Sequence, residues 1–164
     1  MATSRRKLLP QGELRRELAR RRRKGERIVF TNGCFDLLHP GHVRYLQAAK
    51  QLGDVLVVAV NSDASVRRLK GPTRPLQPAR ARGELLAALE AVDYVTVFSA
   101  DTPHEVIRAL QPDVLVKGGD WKPENIVGAD LVRARGGKVR SLRFAPGYST
   151  TALVERIVAA GRKR

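Results

Sequence analysis

Cysteine is almost missing from this sequence. Cys34 stands alone, which excludes an internal disulfide and fits a reducing compartment. Aromatic residues make up only 5%, so Leu, Val and Ala must supply most of any core. No apolar run approaches the roughly 20 residues of a membrane-spanning helix. The N-terminal stretch is charged, with neither an apolar run nor a small-residue cleavage site, so no signal peptide is expected. The reading is a cytoplasmic protein. Acidic residues are also scarce: 16 Asp and Glu against 31 Lys and Arg leave a net charge of +15. The surplus is uneven. Residues 1–27 hold 11 basic and 3 acidic residues, a net +8, while the other 137 hold 20 and 13, a net +7. There is no internal repeat and no linker that would split the chain. What is present is ordinary in amount: 164 residues, 43% of them hydrophobic, enough for one domain with a proper core.

Residues 1–9 read as disordered. From Gln11 to Lys24, Leu14 and Leu18 fall on one side of a short helix rich in arginine, which Gly25 would stop. The two leucines would dock on the core or bind elsewhere. A nucleic-acid or membrane-surface contact is one use of such charge. No aromatic residue is interleaved with the arginines, which weakens strand stacking; a solvated arginine-rich face is favoured. The chain therefore divides into a basic segment, 1–24, and a domain, 25–164.

The rest is organised around Ile28-Val29-Phe30-Thr31-Asn32-Gly33-Cys34-Phe35-Asp36-Leu37-Leu38-His39-Pro40-Gly41-His42. Ile28–Phe30 is a β-prone run ending in the Asn32-Gly33 turn signal. Val43, Tyr45, Leu46 and Ala49 then recur at helical spacing. Pro40 suits the first helical position, which makes His39 the cap and puts His42 one turn further on the same face. A helix N-terminus attracts phosphate, and Gly41 leaves the backbone open to it. Two imidazoles could stabilise charge growing on a phosphoryl group. The four residues His-Pro-Gly-His taken alone suit a plain cap and a surface residue equally well. Cys34, Asp36, His39 and His42 are also metal-ligand types, but structural zinc recruits a second pair of ligands, so no protein-held metal is expected.

Asp54–Val60 is an uninterrupted apolar run, the mark of a strand buried on both faces of a parallel sheet, and closes a βαβ unit. Asn61 and Asp63 follow it and should face the same crevice as Thr31–His42, because ligands bind beyond the C-terminal ends of such strands. Ser62 and Asp63 equally suit capping of the helix 64–69. The loop 67–75 carries Arg67, Arg68, Lys70 and Arg74; Lys70 is assigned to phosphate. A helix spans Ala79–Ala91 with Arg80 and Arg82. Strands follow at 94–98, 113–117 and 138–142, the last at an edge. Thr102 and Pro103 begin another helix, carrying a structural or exposed His104. Gly118-Gly119 after the fourth strand allows close backbone approach, and Ser149-Thr150-Thr151 makes a second helix N-terminus before Leu153, Val154, Ile157 and Val158. Residues 159–164 read as a basic tail. The sum is a Rossmann-like α/β fold: five parallel strands with helices on both faces, in a single domain.

The string Thr31–His42 resembles the His-x-Gly-His signature of the cytidylyltransferase-like nucleotidyltransferase superfamily. Asn61-Ser62-Asp63, Lys117-Gly118-Gly119-Asp120-Trp121 and Ser149-Thr150-Thr151 fall where its ADP-heptose adenylyltransferase branch has matching segments. The similarity runs from about Gly25 to Val158. It implies an enzyme of ADP-heptose and lipopolysaccharide core biosynthesis that moves AMP from ATP to D-glycero-β-D-manno-heptose 1-phosphate and releases pyrophosphate. The residues implied are His39, His42 and Lys70 for catalysis. Thr31, Asn32, Gly33, Phe35, Asp36, Gly41, Asn61, Lys117, Gly118, Asp120, Ser149, Thr150 and Thr151 are implied for binding the nucleotide, with Asp36 orienting a histidine or the turn. Mg²⁺ is expected on the phosphates, held by the substrate rather than by a protein cage. In many relatives this activity is fused to a sugar kinase; the expectation here is a separate one. A homodimer is compatible with the family, and nucleic acid is not an expected partner. Two departures stand out. The branch usually has an acidic residue where this chain has Arg80, which leaves Arg82 without its expected ion-pair partner. Relatives that use cytidine nucleotides often have an arginine where this chain has Ala145, with only Arg143 nearby. The alternatives are a CTP-dependent cytidylyltransferase acting on glycerol 3-phosphate or a similar alcohol phosphate and, from another class, a basic nucleic-acid-binding module.

Overall fold

In a computed structural model, which describes residues 6–162, five parallel strands form one sheet in the order β3-β2-β1-β4-β5. They are β1 (Ile28–Gly33), β2 (Val55–Asn61), β3 (Tyr94–Phe98), β4 (Val114–Gly118) and β5 (Lys138–Leu142). The helices are α1 (Gln11–Arg23), α2 (Pro40–Lys50), α3 (Asp63–Lys70), α4 (Ala79–Ala88), α5 (His104–Leu110), α6 (Ala129–Ala134) and α7 (Thr150–Gly161), with a 3₁₀ turn at Pro123–Asn125. The expected Rossmann-like α/β architecture is what forms. β1 lies at the centre, paired with β2 on one side and β4 on the other. The chain winds outward through β2 and β3, then crosses back to build β4 and β5. The order thus reverses between β1 and β4, and a crevice opens at such a point beyond the strands' C-terminal ends.

Every residue of β2 is buried, as its unbroken apolar run predicts. Alternate side chains serve two cores. On one face Ile28, Phe30, Val55 and Val57 pack with Leu14 and Leu18 of α1 and Ile107 and Leu110 of α5. On the other, Val29, Leu56 and Val58 pack with Leu46 and Ala49 of α2 and Leu86 of α4.

The N-terminal segment differs from its reading. Residues 1–5 lie outside the described residues, but 6–9 are ordered. Leu8 bridges in parallel to Val95 at the outer edge of β3, the N–H of Leu9 donates to the Val95 carbonyl (2.9 Å), and Lys7 Nζ donates to the Val92 carbonyl (2.7 Å). Gly83 makes room: a Cβ there would sit 3.1 Å from Leu8 Cδ1. An otherwise open sheet edge is covered in this way. α1 docks by its two leucines, and Arg21 and Glu17 both bond the Tyr94 hydroxyl.

Smaller differences have local causes. α4 ends at Ala88, three residues before the expected Ala91, because Leu89 turns extended and lets Val92 enter the core. α5 begins at His104 with Pro103 as its cap, and no side chain caps it; Thr102 is left free for the crevice. α7 continues through Gly161, into the expected tail, and buries none of its residues.

Candidate active site

The strand-to-helix turn after β1 forms as its residue types dictate. His39 is extended and caps α2, with Pro40 first in the helix. The N–H of His42 donates to His39 Nδ1 (3.4 Å). This brings the two imidazoles into a stack, 3.8 Å between centroids and 19° between planes. Tyr148 stacks on His39 at 6.1 Å, and Phe35 tilts against His42 at 5.3 Å. Phe35 sits at φ 47°, a left-handed conformation unusual for a bulky residue. Gly41, expected as open backbone for a phosphate, is buried instead. A Cβ there would come within 3.0 Å of both the His39 ring and Tyr148 Cβ, so its smallness permits the ring packing.

Burial, reinforced by the neighbouring His39, pushes His42 down to about 4. Burial also lowers His39 below its usual value. At pH 7 the pair is therefore mostly neutral. His42 Nδ1 is buried without a hydrogen-bond partner among the described residues. The unfolded chain binds a proton at His42 near pH 6.5, while the native state resists it until about 4, so the unfolded state binds more protons in that window. Stability from this group is full above 6.5 and is lost as pH falls toward 4. Scanning calorimetry at fixed salt should show Tm falling on acidification through this window, and His42→Phe should make the fall shallower.

His42 lines a cleft of about 750 Å³ at the C-terminal ends of the strands, together with Asn32, Gly33, Asn61, Lys70, Lys117, Gly118, Thr150 and Thr151. Lys70 and Lys117 form no ion pair among the described residues. Burial lowers Lys117, and the nearby Lys70 ammonium pushes the same way, against a raising effect of Cys34. Neither α2 nor α7 has an acidic residue in its first turn, so the positive ends of both helices stay uncompensated. The Thr150 hydroxyl ties the second helix to the first turn by donating to the Leu37 carbonyl (3.3 Å).

Two buried charged groups hold the walls. Asp36 accepts from the N–H groups of Leu76 and Gln77 and from Arg74 Nη1 (2.7 Å). Burial alone would raise its carboxyl, but these donors outweigh burial and hold it below the ordinary range. Its bonds go to the 74–77 loop and not to a histidine, so of the two roles expected for it, orienting a histidine or the turn, the geometry fits the turn. Arg82 is fully buried. Its guanidinium donates to the carbonyls of Cys34, Asn61 (2.8 Å) and Gln77 (2.9 Å) and to Asp63 Oδ1 (2.8 Å). It therefore joins the turn after β1, the end of β2 and the 74–77 loop. Asp63 supplies the ion pair expected from position 80, and it turns to Arg82 instead of the crevice. Ser62 caps α3.

Of the residues singled out from sequence, His42, Lys70, Asn32, Gly33, Phe35, Asp36, Asn61, Lys117, Gly118, Thr150 and Thr151 line the cleft. The others are placed elsewhere. Thr31 is buried, its hydroxyl 2.7 Å from that of Tyr45. His39 and Gly41 lie behind His42 in the ring stack. Ser149 caps α7, accepting from the Ala152 N–H (3.0 Å). Asp120 is exposed and paired with Arg143 (3.0 Å). Sequence reasoning missed Tyr45, Phe144 and the Asp101–Pro103 segment, all of which line the cleft. Asp101–Pro103 could have been found, since it follows β3 as Asn61 follows β2. Phe144 carried no signal; it covers Gly118, where any Cβ would collide with its ring.

The family model described as cytidylyltransferase-like matches residues 30–156. The "Bifunctional protein HldE" of Trichlorobacter lovleyi is 58% identical over 141 residues, which cover 86% of this chain and 29% of that protein. The protein of the same name from Nitratiruptor sp. is 60% identical over 135 residues, covering 82% and 28%. This chain thus spans less than a third of the length of these curated relatives. A crystal structure of "the lipopolysaccharide core biosynthesis protein" from Thermoplasma volcanium matches with a TM-score of 0.59 and 31% identity, over 74% of this chain and 98% of that one.

Proposed function

We propose, from the premise that this chain belongs to the cytidylyltransferase-like family, that it is a nucleotidyltransferase whose cleft binds a nucleoside triphosphate and a sugar 1-phosphate. The observation that carries the reading is the meeting of Lys70 and Lys117, which have no ion-pair partner among the described residues, with a neutral His42 at a helix N-terminus in one cleft. Such a site has an unmet demand for a polyanion. An oxygen of the acceptor phosphate attacks the α-phosphorus in line; the new P–O bond forms as the α–β bridging bond breaks and pyrophosphate leaves with the electron pair. No group of the protein becomes covalently attached. The chain's work is to align two anions and to neutralise charge. His42 donates to the phosphate as charge grows, Lys70 and Lys117 hold phosphate oxygens, and His39 keeps the His42 ring in place.

The donor set bears on the metal. Among the described residues no three His, Cys, Asp or Glu side chains cluster as a cage. The two carboxylates lining the cleft, Asp36 and Asp101, are each tied to an arginine. Mg²⁺ would accordingly enter on the phosphates and supply further charge neutralisation there.

The specific reading is transfer of AMP from ATP to D-glycero-β-D-manno-heptose 1-phosphate, giving ADP-heptose. It is supported by the likeness to the HldE proteins and to a lipopolysaccharide core biosynthesis protein. A kinase supplying the 1-phosphate and a cytoplasmic setting belong to the same proposal; no described helix is long and apolar enough to cross a membrane. A nucleotide-by-acceptor screen with Mg²⁺ tests it. Pyrophosphate release should be greatest with ATP and the heptose phosphate. Release with CTP and glycerol 3-phosphate instead would favour the cytidylyltransferase alternative.

A further inference from the structure

The cleft extends past His42 in two directions, because β1 has β4 and β5 on one side and β2 and β3 on the other. The two ends differ in chemistry. Beyond β4 and β5 it has exposed aromatic faces, Trp121 and Phe144, which suit stacking on a flat base. Beyond β3 it ends in Asp101 and Thr102.

This polar end is tied to the neighbouring helix. Arg68 grips it twice, donating to Asp101 Oδ1 (2.6 Å) and to the Ser99 carbonyl (2.6 Å). A buried relay ties it again: Asn61 Nδ2 donates to Ser65 Oγ (3.0 Å), which donates to the Ala100 carbonyl (3.0 Å). Asp101 Oδ2 and the Thr102 hydroxyl, by contrast, have no hydrogen-bond partner among the described residues. Both side chains are exposed to the cleft, where a ligand's hydroxyl groups can replace their water.

We propose that Asp101 and Thr102 are specificity-determining residues that read the hydroxyl groups of the acceptor's polyhydroxylated carbon frame. The inference rests on the nucleotidyltransferase reading above and adds the acceptor's orientation to it. A carboxylate accepts from a sugar hydroxyl, while the threonine donates to or accepts from a neighbouring one. The acceptor therefore lies with its phosphate toward Lys70 and its hydroxyls toward β3. A short alcohol phosphate offers fewer hydroxyls to such a wall.

Steady-state kinetics on the full chain tests this with D-glycero-β-D-manno-heptose 1-phosphate and glycerol 3-phosphate as acceptors. The variants are Asp101→Asn, which keeps the shape and an oxygen for Arg68, and Asp101→Ala/Thr102→Val. The double variant should raise KM for the sugar phosphate about tenfold or more, the loss of hydrogen bonds to a charged group. KM for ATP and for glycerol 3-phosphate should stay within about twofold, so the preference for the sugar phosphate over glycerol 3-phosphate narrows by a similar factor. Asp101→Asn should fall between the double variant and the wild type. An unchanged sugar-phosphate KM, or an equal rise for ATP and both acceptors, would overturn the inference while leaving the nucleotidyltransferase reading in place. A wild-type protein that makes no nucleotide sugar at all would overturn both.

Discussion

His42→Ala is expected to cut turnover about 10²-fold or more, the usual loss when a donor to developing transition-state charge is removed. The ring is neutral at pH 7, held down to about 4 by burial and by His39. It is also fixed before substrate arrives, stacked on one ring and tilted against another. Its benefit therefore comes mainly as phosphate charge shifts toward the leaving group, so kcat should fall more than the affinity for ATP. Circular dichroism should show a native fold. His104→Ala is the control: that imidazole is paired with Glu105 on α5 and does not line the cleft, and its loss should leave turnover unchanged. Near-wild-type turnover in His42→Ala would remove the histidine from the chemistry.

Arg82→Leu should produce the largest loss of stability of any single substitution in the site. The side chain is fully buried and satisfies Asp63 and three carbonyls from three separate segments. Only the guanidinium side of the Asp63 pair is buried, so the cost comes mainly from the three carbonyls that lose their donor, about 1–3 kcal/mol for each one left buried and unsatisfied. For a chain of this size that is a Tm drop of about 10 °C or more. Arg82→Lys should recover only part of it, since a single ammonium cannot reproduce the planar fork. Activity well below the melting transition should fall as well, because the same guanidinium positions the Cys34 and Asn61 carbonyls behind the cleft. A Tm within about 2 °C of wild type would show that the hub contributes little.

The parts of this architecture set by short-range physics were legible in the sequence. The apolar run of β2 required burial on both faces, and Pro40 beside His39 set the start of α2. The ends of strands in an α/β sheet pointed to Asn61, Lys117 and Gly118. What could not be read depends on contacts between segments far apart in the chain. Asp36 meets residues 74–77, Arg82 meets Cys34 and Asp63, and Phe144 occupies the space above Gly118; no local pattern announces such partners. Residues 6–9 looked too polar to fold because their leucines have no local stripe to join. They find one in Gly83 and Val95. At Gly41 the need for smallness was plain, but the packing of the His39 ring and Tyr148 Cβ against it was not.

Phosphorus NMR of a mixture of ATP, Mg²⁺, heptose 1-phosphate and the protein tests the central claim most directly, because it reports which phosphate bond breaks. The account predicts that pyrophosphate and a sugar-linked diphosphate appear in equal amounts, while the His42→Ala protein leaves both substrates almost untouched. Release of inorganic phosphate with ADP, or ATP left intact by the wild-type protein, would contradict it.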